Sequence, residues 1–310
     1  MLRSVLRVRA ILRDALKPVG DAVIGGLTVG MLRATRFFDP VRTANVFGRG
    51  AQLIGPLLRE NRIGRANLTA AFPEKSPEEI EQILAGVWDN LGRVAAEFAH
   101  LDNIWAYDRS RPQDSRIEIP PRTHELFAKL REDGKPALIF ASHIGNWELP
   151  ALAATEHDLD TAVLFRRPNV AAADRAIHKL RAVKMGELIA TGPDAPFKLA
   201  EALRQGKHVA MLVDQWYTRG VEVEFFGRKT RANPTLARLL RQIECPIYGV
   251  RIVRLPNHRF RAELSEEIVP ARDENGAIDV QGTMQKITSV IEGWVREHPE
   301  QWLWLHRRWR

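Results

Sequence analysis

A histidine and a carboxylate five residues apart are the pair of groups in the sequence best placed to do chemistry. His143 and Glu148 lie in the segment HIGNWE, directly behind the uncharged apolar run 136–141. Such a run is typical of a buried strand in a parallel sheet. The active sites of open α/β sheets lie at the carboxyl ends of their strands. The pair therefore favours a site at the end of a central strand.

The spacing of the pair restricts the local backbone. Each helical residue turns by about 100°, so His143 and Glu148 would lie roughly 140° apart on one helix and could not meet. They can meet if His143 stays in the loop and Glu148 lies in the first turn of a helix over 147–155. Asn146 would then be the N-cap and Pro150 would fall in the first turn. We therefore expect a bent loop in which Glu148 orients His143.

A histidine bonded to a carboxylate can act as a general base. The carboxylate fixes the tautomer of the ring and stabilises the imidazolium, so the other ring nitrogen can take a proton from a hydroxyl. The same spacing also fits an ordinary histidine at a strand end beside a solvated glutamate, because His-x4-Glu pairs arise by chance. On its own, the pair supports both interpretations.

Composition narrows the classes of function. The chain has 310 residues, of which 45% are apolar, so one large domain with a small appendage is expected. Cys245 is the single cysteine, which excludes an internal disulfide, and its apolar context favours a buried structural thiol. No His-Glu-x-x-His, Gly-x-Gly-x-x-Gly or Walker motif occurs. We therefore expect neither a metal nor a cofactor.

The positive charge lies at the two ends of the chain. The net charge is +8; residues 1–36 hold seven basic and two acidic residues, and three arginines lie within 307–310. This distribution weakens the case for a nucleic-acid groove. Residues 2–16 combine spaced arginines with apolar residues, and 22–32 are uncharged. We expect residues 1–40 to form a monotopic membrane anchor, although an amphipathic helix packed on the protein fits the same pattern.

The rest of the chain divides into a helical part, 41–121, and an α/β catalytic core, 122–310. Within the helical part, the capping box at 76–79 begins a long amphipathic helix. The core alternates between strands and helices, which indicates a mostly parallel central sheet flanked by helices. We expect strands near 136–141, 160–165, 208–213 and 246–253, an edge strand at 260–264, and helices near 123–133, 171–184, 195–205, 233–243 and 283–297.

Three further motifs give the sequence a resemblance to a known family. They are 165–169 (FRRPN), 213–220, which begins Val-Asp-Gln, and 299–309 (PEQWLWLHRRW). Together with His-x4-Glu they resemble the late acyltransferases of lipid A biosynthesis, the lauroyl and myristoyl transferases of Gram-negative bacteria. The resemblance runs in order from about Asn67 to the last residue, and the closing motif is long and specific.

The resemblance implies a membrane-bound acyltransferase at the cytoplasmic face of the inner membrane. Its donor would be a fatty acyl thioester on acyl carrier protein, and its acceptor a hydroxyl of a Kdo-bearing lipid A precursor. His143 would be the general base and Glu148 its orienting partner, with no covalent intermediate. The expected substrate-binding residues are Arg166, Arg167, Asn146, Asp214 and Gln215.

Roles within this set differ. Arg167, or Arg166 beside it, would stabilise the oxyanion or bind phosphate. Asp214 would line the site without a chemical role, and it stands with Gln215 in a region where glycerolipid acyltransferases usually carry Phe-Pro-Glu-Gly. Glycerol 3-phosphate and lysophosphatidate are therefore disfavoured as acceptors. The alternatives are another lipid acceptor, a very-long-chain donor, or a basic peripheral-membrane protein without catalysis.

Overall fold

A computed structural model of the chain describes residue 22, residues 25–27 and residues 29–310 except 106, 109, 112, 113, 169, 170 and 183. Most of the expected anchor, including the amphipathic segment 2–16, lies outside the described residues. Within those residues, no helix combines the length and the apolar character needed to cross a bilayer.

Helices form the first part of the described chain. They are α1 (Pro40–Ile54), α2 (Arg59–Ala71), α3 (Pro77–Glu97) and the short α4 (Leu101–Ile104). The expected capping box begins α3: the Ser76 hydroxyl accepts from the Glu79 backbone N–H, and the Glu79 carboxylate accepts from the backbone N–H of Ser76 at 2.8 Å. The predicted long amphipathic helix is confirmed, and its buried face includes Leu84 and Trp88.

The second part alternates between strands and helices, as predicted. Its elements are β1 (Ile117–Glu118), α5 (Pro121–Glu132), β2 (Leu138–Ala141), α6 (Leu149–Glu156), β3 (Thr161–Phe165), α7 (Ala171–Ala182), β4 (Glu187–Ala190), α8 (Ala195–Arg204), β5 (His208–Leu212), β6 (Val221–Phe225), β7 (Arg228–Ala232), α9 (Thr235–Gln242), β8 (Ile247–Leu255), β9 (Arg259–Leu264) and α10 (Val280–Glu297).

Seven strands form the central sheet, in the order β1-β9-β8-β2-β5-β3-β4. Every pair in it is parallel except β8 with β9. The prediction of a mostly parallel sheet flanked by helices is confirmed. Three features were not predicted: β1, which makes β9 an inner strand, the short strand β4, and the separate antiparallel hairpin of β6 and β7.

Alternating residues of the central strands supply two cores, because successive side chains point to opposite faces of a sheet. Leu138 and Phe140 of β2 belong to the core that includes α3, α8, α9 and α10. Ile139 and Ala141 belong to the core that includes α5 and α6. The central strand β2 is thus covered on both sides, which explains its unbroken apolar sequence.

The tryptophan-rich C-terminus packs on the α/β core. Trp302 and Trp304 are among the largest fully buried side chains of the protein. Trp302 stacks edge to face on Trp304 and on Phe225, with ring centroids 4.7 and 5.5 Å apart. Arg308 is also buried and donates to the Arg231 carbonyl at 2.9 Å. This segment is part of the protein interior and delivers side chains toward the end of β2.

Candidate active site

His143 lies two residues beyond β2, at the carboxyl end of the central sheet. The neighbouring strand β5 runs parallel to β2, with Ala141 opposite Leu212. Asp214 therefore also lies two residues beyond its strand, beside His143. This register brings together two residues that are 71 positions apart in the sequence.

Asp214 is the carboxylate that orients His143. Its Oδ1 lies 2.8 Å from Nδ1 of the ring, and its Oδ2 accepts from the His143 backbone N–H at 2.8 Å. A carboxylate only accepts, so Nδ1 carries the proton and Nε2 is left with its lone pair. We expected Glu148 to orient His143 and Asp214 only to line the site. In the structure Asp214 holds the ring of His143, and Glu148 lines the cavity instead. Adjacent parallel strands bring Asp214 closer than the helix start brings Glu148.

Trp302 completes the environment of Asp214. Its indole N–H donates to Oδ2 at 2.8 Å, so that oxygen accepts from two donors while Oδ1 faces the histidine. The backbone fixes both partners, because Leu303 N–H donates to the carbonyl of His143 at 3.0 Å. The C-terminal segment thus positions the carboxylate, and Asp214 itself is only 3% exposed.

The charges of the pair shift both pKa values in the direction that a general base requires. Burial alone would lower the pKa of His143, but the adjacent Asp214 carboxylate, with a smaller contribution from Glu148, raises it above its ordinary value of 6.5. Burial likewise acts to raise the pKa of Asp214, and the nearby imidazole reverses this and lowers it strongly. Asp214 therefore stays ionised, and His143 is a stronger base than a free imidazole.

The loop behind His143 is held by buried hydrogen bonds. Gly145 has φ of +57°, and a Cβ there would lie 1.9 Å from the carbonyl oxygen of Ile252, so only glycine fits. Asn146 donates to Glu97 at 2.8 Å, and Glu97 in turn pairs with Arg254 at 2.9 Å. Asn146 is fully buried, so it fixes the loop and does not face a substrate, contrary to our expectation.

Glu148 occupies the N-cap position of α6 and makes no hydrogen bond to His143. Its carboxylate receives two hydrogen bonds from Arg181 of α7, at 2.9 and 2.5 Å. Asn146, expected as the N-cap, instead accepts from the Glu148 backbone N–H at 3.1 Å. Glu148 and Arg181 both line the cavity described next. Glu148 therefore holds Arg181 at the wall of the cavity, and its effect on His143 is electrostatic.

An apolar cavity of about 580 Å³ opens beside His143. It runs between one face of the sheet and helices α5 and α6, and its walls include Ile139, Val163, Ala210 and Leu212. Gln215 lies at the same end as the base, with its amide nitrogen 3.3 Å from Nε2. Of the expected substrate-binding residues, Gln215 and Arg166 line this cavity. A histidine whose Nε2 carries a lone pair at the mouth of an apolar cavity suits a substrate that combines a hydroxyl or carbonyl with a hydrocarbon chain.

Three arginines surround a second, smaller cavity. This space of about 200 Å³ is lined by Arg166, Arg167 and Arg181 together with Pro168 and Ile177. Arg166 and Arg181 line both cavities, so the two adjoin. Glu148 neutralises Arg181, and no described residue forms an ion pair with Arg166. The arrangement suits an anionic group close to the base.

Other candidate chemistries receive no support from the described part of the chain. It contains no group of three or more histidine, cysteine, aspartate or glutamate residues able to hold a metal ion. Burial raises the pKa of Cys245 to about 11, so this thiol stays protonated at neutral pH. Sequence reasoning missed the roles of Trp302 and Arg181, because neither stands near His143 in the chain. Finding Asp214 would have required knowing that β2 and β5 are neighbours in the sheet.

Comparison with known proteins gave a family match. A family model described as bacterial lipid A biosynthesis acyltransferase matches residues 20–310. A search of curated proteins found no match. The matched range includes the loop of His143, the arginines after β3 and the buried C-terminal segment.

Proposed function

Because the chain belongs to the bacterial lipid A biosynthesis acyltransferase family, we propose that it moves a fatty acyl chain from acyl carrier protein to a hydroxyl of a Kdo-bearing lipid A precursor. Family membership makes the chain an acyltransferase and indicates a lipid A-related glycolipid as acceptor. The donor, the Kdo group and the mechanism belong to the proposal. One observation carries it: the lone pair of His143 Nε2 lies at the mouth of an apolar cavity.

The reaction uses His143 first as a base and then as an acid. Nε2 takes the proton of the acceptor hydroxyl while the oxygen attacks the thioester carbonyl, and Asp214 stabilises the imidazolium that forms. The tetrahedral oxyanion collapses and expels the thiolate, which receives the proton back from Nε2. Carbon–oxygen bond formation and carbon–sulfur bond cleavage balance without a covalent enzyme intermediate.

The arginines supply positive charge for this reaction. Arg166 lines both cavities, and its position supports a role in stabilising the oxyanion or binding a phosphate. Arg167 and Arg181 line the smaller space, which supports the binding of a phosphate of the glycolipid or of the carrier protein's prosthetic group. Glu148 holds Arg181 in the orientation that this binding needs.

We further propose that the protein acts at the cytoplasmic face of the inner membrane. Nine of the twelve exposed large apolar side chains of the described residues lie within 27–58. Val46 and Leu53 are seven residues apart on α1, which puts them on one face of the helix. Arg42 and Arg49 are exposed on the same helix. This composition is typical of a helix that lies in the interface of an anionic bilayer.

Acyl transfer tests the enzymatic proposal directly. Acyl carrier protein thioesters of several lengths are incubated with a Kdo-bearing lipid A precursor, and the product is identified by mass spectrometry. The full-length wild type is compared with His143→Ala and with His298→Ala, a half-buried histidine after α10 that does not line the cavity. We expect a mass gain of one acyl group with the wild type and His298→Ala, and none with His143→Ala.

Two outcomes contradict the proposal. Turnover by a folded His143→Ala variant at a rate near that of the wild type would remove His143 as the base. Absence of product with every donor, from folded wild type bound to vesicles, would exclude this acceptor. Lysophospholipids and ornithine lipids would then be the acceptors to examine.

The membrane proposal is tested by flotation with anionic vesicles, which should retain the wild type and lose Leu53→Glu. Equal flotation of both would refute the proposal that the exposed apolar face of α1 lies in the membrane interface.

A further inference from the structure

The cavity extends along the whole length of β3 and β5 and ends at their first residues. Thr161 begins β3, His208 begins β5, and the two are direct neighbours in the parallel register. Both line the cavity, as do Val163 and Ala210 two residues further along each strand. Alternate side chains of a strand point to the same face, so these four form a continuous wall. The histidine base and the Thr161–His208 pair therefore lie at opposite ends of one channel.

The channel is closed at its far end. Thr161 is 2% exposed and His208 is 5% exposed, and the neighbouring wall residues Leu159 and Met185 are 8% and 2% exposed. Solvent reaches none of them to a significant extent. A chain that enters beside His143 therefore meets a wall at the start of the strands and has no exit there.

The closed end is polar although the walls leading to it are apolar. Neither Thr161 Oγ1 nor His208 Nδ1 has a hydrogen-bond partner among the described residues, although both atoms are buried. Burial lowers the pKa of His208, which favours the neutral form of its ring. Buried polar atoms in native proteins are normally hydrogen-bonded. A hydrocarbon methyl group pressed against these atoms would leave both of them unsatisfied and would displace any water that served them.

We infer that Thr161 and His208 form a polar floor that sets the maximum length of the donor acyl chain. The inference rests on the proposed function, in which the donor chain occupies the apolar channel. An acyl chain would place its carbonyl beside His143 and its methyl end just above the floor. A longer chain would meet both a steric wall and two polar atoms that a methyl group cannot satisfy.

The structure gives the length of the channel. Asp214, at the level of the base, follows His208 by six residues, and a rise of about 3.3 Å per residue gives a depth of about 20 Å. An extended hydrocarbon with bonds of about 1.5 Å and angles near 111° advances by about 1.25 Å per bond. The channel therefore holds a chain of about 16 bonds. Longer chains should be transferred poorly.

Three variants test the floor against competing donors that increase in length by two carbons. His208→Ala removes the ring and lowers the floor by about two bonds. Ala210→Leu raises it, because Ala210 lies two residues, or about 6.6 Å, nearer the base. Thr161→Val keeps the shape and removes the hydroxyl. The control is Val209→Ala, which alters β5 on the opposite face of the sheet.

We expect the longest efficiently used donor to gain about two carbons in His208→Ala, since burying each added methylene is worth about a fourfold preference and the pair about 15-fold. Ala210→Leu should shift the preference to shorter donors, and Thr161→Val should weaken discrimination against the next longer donor. Val209→Ala should keep the wild-type preference.

The outcomes separate this inference from the proposed function. If the wild type transfers no acyl chain from any donor, the proposed function fails. If the wild type is active and the donor preferences of His208→Ala and Ala210→Leu both equal that of the wild type, the floor assignment is refuted and the function stands. If the two variants instead change discrimination among acceptors with different tails, the channel holds the acceptor chain, and the assignment to the donor is wrong. Ala210→Leu gains volume, so the test holds even if His208→Ala fails to fold.

Discussion

Asp214→Asn is the substitution that distinguishes the role of Asp214 from that of Glu148, the other carboxylate near His143. Asparagine keeps the shape of aspartate, but one of its two terminal groups donates hydrogen bonds and the other accepts them. In the protein, Oδ2 of Asp214 accepts from the His143 backbone N–H and from the Trp302 indole, both at 2.8 Å. The asparagine oxygen must therefore take the place of Oδ2, because the opposite placement would set an NH₂ group against two N–H donors, at a cost of about 2–3 kcal/mol.

This placement inverts the tautomer of the base. The asparagine NH₂ then faces Nδ1 of His143 and donates to it, so the ring proton moves to Nε2. A protonated Nε2 cannot accept the proton of the acceptor hydroxyl, and the imidazolium also loses the charge that stabilises it. The same substitution in a Ser-His-Asp triad lowers kcat by about 10⁴, which corresponds to about 5.5 kcal/mol in the barrier. We expect a comparable loss here.

The assay is kcat/KM for acyl transfer as a function of pH. The neutral ring is the active form, so the rate of the wild type should rise with pH through the pKa of His143, which the Asp214 carboxylate raises above 6.5 against the effect of burial. In Asp214→Asn the residual activity should begin to rise with pH at a lower pH than in the wild type, because the carboxylate charge that raises the pKa of His143 is gone. The thermal midpoint of each variant shows that it is folded.

Glu148→Gln is the matched control, since it also converts a buried carboxylate near the base into an amide. It should lose less activity than Asp214→Asn, because Glu148 makes no hydrogen bond to the ring of His143. The acidic limb of its profile, the pH range in which kcat/KM rises, should stay closer to that of the wild type, because Glu148 contributes less than Asp214 to the pKa of His143. The reasoning is refuted if Asp214→Asn stays within tenfold of the wild type while Glu148→Gln loses more.

Three further substitutions follow from the geometry around the base. Trp302→Phe removes one donor from Asp214, so the carboxylate should attract the imidazolium more strongly and the acidic limb should move to higher pH; an unchanged limb would contradict the role of the indole. Gly145→Ala combines a positive φ with a backbone clash and should lower the free energy of unfolding by about 3 kcal/mol, measured in urea, whereas a loss below 1 kcal/mol would show that the loop can relax. Glu97→Ala leaves Arg254 buried without its partner and should cost about 3–5 kcal/mol by the same measurement; a neutral result would mean that water reaches the pair.

The sheet was largely predictable because its strands are apolar and lie between helical segments. The runs near 136–141 and 208–213 have no charge that could face water, so a buried parallel strand is the favoured assignment. Two of the three features that were not predicted left weaker signals. The strand β4 has only four residues, and one of them, Glu187, is exposed. In the hairpin of β6 and β7, only β6 alternates between charged and apolar residues, and the hairpin lies outside the main sheet.

The position of His143 was predictable and its hydrogen-bond partner was not, for a topological reason. His143 stands at the end of an evident strand, so its position at the rim of the sheet follows from local sequence alone. Its pairing with Asp214 depends on β2 and β5 being neighbours, although β3 and β4 lie between them in the chain. Local spacing favours Glu148 because it is close in sequence. Strand order, which no local pattern specifies, decides in favour of Asp214.

The helix start that brings Glu148 near the base also explains what the glutamate does. The side chain of Glu148, the N-cap residue of α6, reaches α7, where Arg181 donates two hydrogen bonds to it. This ion pair ties the helix after the arginine motif to the loop that carries His143. The pair is nearly neutral as a unit, whereas Arg166 forms no ion pair with any residue that the structure describes. Glu148 should therefore govern how the anionic substrate is held, measured as KM, and Asp214 should govern proton transfer, measured as kcat and its pH dependence.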